Sequence, residues 1–202
     1  MPANLVSGFY GKLPARGDFL RAGLPRSFTD PWDAWWQAAI ACSRSALGDE
    51  WLTCWMEAPI WRFSLPDGIC GPHGALGLWM PSVDRAGRYF PLTFALLQPG
   101  ASPDALASAG ASWLDEAEKI GLDALENESV PESITERLEA LPTPAAASGA
   151  GEALWWTAGS PYVAPAALRF SGLPDPVQFA TMIRNPPTPD GTQTQGGFLE
   201  AT

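Results

Sequence analysis

A chain of 202 residues is long enough for one domain with a well-buried core. With 46% hydrophobic residues, 17% charged residues and 10 tryptophans it is globular in composition, not disordered. A net charge of −10 opposes the approach of phosphate backbones and argues against nucleic-acid binding.

Elements follow one another legibly. Residues 5–13 read as a first strand, ended by Pro14, which has no N–H to give to a ladder. Gly17-Asp18-Phe19-Leu20-Arg21 is a short second strand or a turn into the first helix. Thr29 or Asp30 is placed to cap that helix with Pro31 at its first position, and Trp32, Trp35, Trp36, Ala39, Ile40 and Ser43 fall near helical spacing up to Gly48. Asp49-Glu50 then opens a short helix carrying Trp51, Leu52 and Trp55.

Period-two alternation over 59–65 predicts a strand, with Pro66-Asp67-Gly68 as its turn. Residues 74–80 and the apolar run 89–97 predict two more, separated by the charged loop 84–88. Three strands joined by short turns imply an antiparallel meander, not βαβ units. One helix is expected over 103–127 with Leu106, Ala109, Trp113, Ala117, Ile120 and Leu125 inward, and another over 131–141. Residues 142–151 read as a flexible loop, 153–157 and 167–170 as strands, and 176–183 as a last short helix. The expectation is a single α/β (α+β) domain over 1–185, with a mostly antiparallel central sheet of about five strands flanked by helices, and a disordered tail over 186–202.

Charge is unevenly spread. Residues 1–100 are neutral, whereas 101–140 hold ten acids against two bases. That acidic block is either the solvated face of a helix or a dock for a basic partner. No apolar run reaches the roughly 18 residues needed to span a bilayer, so no membrane insertion is expected. The start, Met1 to Leu5, lacks the basic and apolar pattern of a signal peptide, which points to a cytoplasmic protein. Cys42, Cys54 and Cys70 are odd in number and lack metal or disulfide spacing, so they read as small core fillers.

Catalysis has few places to reside. His73 is the only histidine, in the turn Cys70-Gly71-Pro72-His73-Gly74, and it reads as an exposed ring or as half of a thiol–imidazole pair with Cys70. Gly8-Phe9-Tyr10-Gly11-Lys12 lacks the spacing and the hydroxyl of a phosphate loop. No Gly-x-Ser-x-Gly elbow and no metal-ligand cluster is present in the sequence. No enzyme activity, cofactor or small-molecule substrate is expected.

Two charged loops stand out among apolar strands: 12–19, with Lys12, Arg16 and Asp18, and 81–91, with Asp84, Arg85, Arg88 and Tyr89. Arginine suits planar bidentate pairing and stacking on rings, so these seven residues are candidates for a partner-docking surface. Equally, their ion pairs brace the loops against each other.

Residues 8–19, from Gly8-Phe9-Tyr10-Gly11-Lys12-Leu13-Pro14 to Arg16-Gly17-Asp18-Phe19, resemble the opening signature of the TagF family of type VI secretion-associated proteins. Trp32-Asp33-Ala34-Trp35-Trp36, Pro59-Ile60-Trp61-Arg62-Phe63, Cys70-Gly71 and the run from Met80 to Thr93 resemble it too. Further similarity lies in Trp155-Trp156-Thr157-Ala158-Gly159-Ser160 and Gly172-Leu173-Pro174-Asp175-Pro176. The resemblance implies a non-enzymatic, post-translational repressor of type VI secretion that binds a cytoplasmic forkhead-associated-domain scaffold protein. Some relatives are fused to a metal-dependent phosphatase, for which this sequence has neither the room nor the aspartate pattern. The alternative is a structural or assembly component of the secretion apparatus.

Overall fold

The computed structural model describes residues 5–14, 19–127 and 129–185. A single antiparallel sheet organises it, in the order β2-β1-β5-β4-β3-β6-β7. Its strands are β1 (Val6–Gly11), β2 (Leu20–Ala22), β3 (Trp61–Leu65), β4 (Gly74–Met80), β5 (Leu92–Gln98), β6 (Ala153–Thr157) and β7 (Ala166–Phe170). The meander β3-β4-β5 is as expected, with Trp61 opposite Trp79 and Leu78 opposite Phe94. The sheet is larger than the five strands expected, because both doubtful segments pair: β2 along β1, and β7 along β6. Short strands with weak patterns form there because sheet edges offer them ready hydrogen-bond partners.

Helices cover both faces. α1 (Arg26–Leu47), α2 (Trp51–Met56) and α6 (Phe179–Ile183) enclose one core with Trp61, Phe63, Trp79 and Trp155. α3 (Pro103–Ala109), α4 (Ala111–Glu126) and α5 (Pro131–Glu139) enclose the other with Phe9, Leu76, Leu78, Met80 and Phe94. β4 and β5 are therefore buried along their whole length, which explains why they are nearly continuously apolar and do not alternate. Nine of the 10 tryptophans are buried. Some of those in the first core meet edge to face, such as Trp36 on Trp79 at 4.7 Å, a contact worth about 0.5–1.5 kcal/mol beyond burial, and others stack, such as Trp32 on Trp155.

Three local expectations change. α1 begins at Arg26, with the Pro25 carbonyl accepting from Phe28 and Thr29, so Pro31 lies inside the helix instead of opening it. The helix expected over 103–127 is two, broken at Gly110, where an added Cβ would lie 2.0 Å from Leu76 Cδ2. Ala109 consequently turns outward, while Leu114, Gly121 and Ala124 join the buried side. The loop 142–151 is held against 100–102: Ser102 N donates to Ala147 O at 2.9 Å and Gly149 N to Gly100 O at 3.1 Å. The tail expectation for 186–202 falls outside the described residues.

Candidate functional site

The site grows from the end of β1. Gly11 has φ 140°, and an added Cβ there would lie 2.0 Å from Pro91 O, so only glycine lets the two chains approach so closely. That approach points Lys12 inward. Its Nζ donates to Asp84 Oδ2 at 2.5 Å, and the two side chains are 3% and 0% exposed.

Asp84 then organises the turn after β4. Its Oδ1 accepts from Ala86 N and Arg88 N at 2.9 Å each, and its Oδ2 accepts from Arg88 Nε at 2.8 Å. Its own N–H donates to Arg88 O at 3.0 Å, and Gly87 N donates to Asp84 O at 2.9 Å. Burial alone would raise the Asp84 carboxyl, but the donors from Lys12, Arg88 and Ala86 outweigh it and hold the group well below the usual carboxylate range. Ser82 Oγ donates to Lys12 O at 2.8 Å, and Trp55 Nε1 to Ser82 O at 3.3 Å, so α2 is tied to the same turn.

The two loops therefore meet, as the docking hypothesis requires, but they meet through a buried pair. Lys12 and Asp84 brace the turn and do not belong to an exposed surface. Arg85 and Arg88 remain exposed, and Tyr89 is half-buried. Arg16 and Asp18 lie outside the described residues.

Sequence reasoning placed a tryptophan beside Tyr89 but named neither Trp51 nor Arg44 as its neighbours. The Arg44 guanidinium lies 4.2 Å from the Trp51 ring centre and 5.7 Å from that of Tyr89, and the two rings meet edge to face at 5.4 Å. Nothing in sequence spacing links position 44 to position 89. On the other flank Phe19 is exposed, with Lys12 Nζ 4.3 Å from its ring centre and Phe90 at 4.7 Å.

The alternative sites hold less. Burial pushes the Cys70 thiol up to about 12, far from a thiolate at neutral pH, and no hydrogen bond joins it to His73 among the described residues. Instead of presenting an exposed ring, His73 is half-buried with an unpartnered Nδ1. No group of three or more His, Cys, Asp or Glu among the described residues is placed to hold a metal ion. A concavity of about 460 Å³ near Arg62 and Trp156 is occupied at its cationic end, where Arg62 donates to Asp115 at 2.8 Å and Glu118 at 2.9 Å. Among the described residues no helix is long and apolar enough to cross a membrane.

The two loops and most of both cores fall within residues 8–141, which match the family model of the TagF N-terminal domain, type VI secretion system-associated. The chain belongs to the TagF family. It is also similar to the crystal structure of PA0076 from Pseudomonas aeruginosa PAO1, with 32% identity and a TM-score of 0.83. That similarity covers 96% of this chain and 100% of the other, so it extends over β6, β7 and α6, beyond the matched TagF domain. No curated protein matches the sequence.

Proposed function

We propose that this TagF-family chain is a non-enzymatic repressor of type VI secretion that acts in the cytoplasm by binding a forkhead-associated-domain scaffold protein. The family places the chain with type VI secretion. The observation that supports docking is the turn at 84–88, which five hydrogen bonds to the Asp84 side chain and backbone hold in one shape. A turn held in this way presents Arg85 and Arg88 to a partner without first losing conformational entropy, which favours affinity. Lys12 and Asp84 enter this reading as the brace and not as contacts.

Arg85→Glu is the direct test, because Arg88 also serves Asp84. Retention of the purified scaffold by the variant in a pull-down should fall at least tenfold with an unchanged melting temperature. Wild-type protein that fails to retain the scaffold would end this reading. Deletion of the chain's gene should raise secretion, whereas secretion that stops would identify an assembly component.

A further inference from the structure

The cleft of about 460 Å³ beside Arg62 opposes anions but suits a cation. Arg62 of β3, Trp156 and Thr157 of β6 and Glu118 of α4 line it, with the exposed Ala158 at its edge. Arg62 and Trp156 are direct partners in the β3–β6 register, so both side chains stand on the same face of the sheet. Arg62 turns toward α4. Its Nη2 donates to Asp115 Oδ1 at 2.8 Å and to Glu118 Oε2 at 2.9 Å, and its Nε to the same Glu118 oxygen at 3.3 Å. One positive charge therefore meets two negative ones, a local net of −1. Glu118 Oε1 and Asp115 Oδ2 accept no hydrogen bond among the described residues. No cation lies over the half-buried Trp156 ring among the described residues either.

Other bases on this side do not make up the deficit. Residues 101–140 hold ten acids and two bases. Of those bases, Lys119 is paired with Glu116 at 2.7 Å and Arg137 with Asp123. Arg169 of β7 is paired with Asp104 at 2.6 Å. A guanidinium matches what is left over. Its N–H groups suit an unused carboxylate oxygen, and its plane suits an indole face while its edge still donates. A chain charge of −10, concentrated in the stretch that includes Glu118, steers basic protein segments toward this face.

We propose that the cleft between β6 and α4 receives an arginine side chain from a basic segment of a partner protein. The guanidinium lies on Trp156 and donates to the unused oxygen of Glu118. This site does not depend on the reading of the turn at 84–88.

The probe is a short glycine peptide with one arginine and blocked ends, titrated into the isotope-labelled full-length chain. The readout is the Trp156 indole N–H resonance, assigned by its loss in Trp156→Phe. It should shift saturably, and citrulline, the neutral isostere of arginine, should bind at least tenfold more weakly. Glu118→Gln should weaken binding of the arginine peptide at least fivefold. If that variant melts below wild type, a salt titration of the wild type replaces it, and only the arginine peptide should lose affinity. No shift, equal binding of the arginine and citrulline peptides, or tighter binding of an aspartate peptide would overturn the site. The source is read with a photo-cross-linking amino acid at Ala158, expressed in the native bacterium. Capture should run through an arginine-bearing peptide of another protein and fall at least fivefold with Glu118→Gln. A captured peptide without arginine, a second copy of this chain, or no capture would overturn the docking of a partner there.

Discussion

Removing the Asp84 carboxylate would leave the Lys12 ammonium, 3% exposed, without a counter-charge. Breaking a buried pair from one side costs about 3–5 kcal/mol, so Asp84→Ala should lower stability by that order in urea unfolding. Arg88→Ala removes a side chain that is 60% exposed from the same carboxylate, and should cost no more than about 1 kcal/mol. The pH dependence follows from the depressed Asp84 carboxyl. Its contribution is complete above the unfolded-state value of about 4 and is lost progressively as pH falls below that toward the lower folded-state value. Wild-type unfolding free energy should therefore drop below about pH 4 with a limb that is shallower in Asp84→Asn, which a urea series from pH 2 to 7 would reveal. At this scale the residue types were legible in the sequence but their roles were not. Lys and Asp at the ends of two loops suggest a pair, yet whether that pair faces water depends on how near Gly11 comes to Pro91, which is a long-range contact.

Element boundaries show where periodicity stops being informative. Residues 103–127 carry a helical pattern throughout, and only the packing of Gly110 over Leu76 divides it into α3 and α4. Gly110→Ala would raise intrinsic helix propensity by about 1 kcal/mol. The new Cβ would also meet Leu76 Cδ2 at 2.0 Å and Leu106 O at 2.9 Å, both on fully buried residues. Overpacking of this kind costs about 1–3 kcal/mol, so the variant should melt below wild type, and adding Leu76→Ala should relieve the clash while opening a cavity of its own. Melting curves of the two variants would decide it. The start of α1 teaches the same lesson: Pro31 resembles a first-turn proline, but Pro25 supplies the capping carbonyl five residues earlier than Asp30 and sets the helix start.

Across the whole molecule, β4 and β5 serve both cores at once, with Trp79 facing one and Leu78 the other. Neither core survives without the shared strands, so unfolding should be a single transition. Tryptophan fluorescence, dominated by the first core, and far-ultraviolet circular dichroism, which counts helices on both faces, should coincide in urea. Separate midpoints would mean that the helices of the second core melt alone. By itself the sequence determined the α+β class, the three-strand meander and the family, because strand alternation, turn residues and motif order are local properties that survive without coordinates. The tertiary structure alone decided the number of strands, the burial of Lys12 with Asp84, and the meeting of Arg44, Trp51 and Tyr89. Each of those depends on residues far apart in the chain, whose closeness is set by the packing of helices on the sheet and leaves no trace in the spacing of either partner.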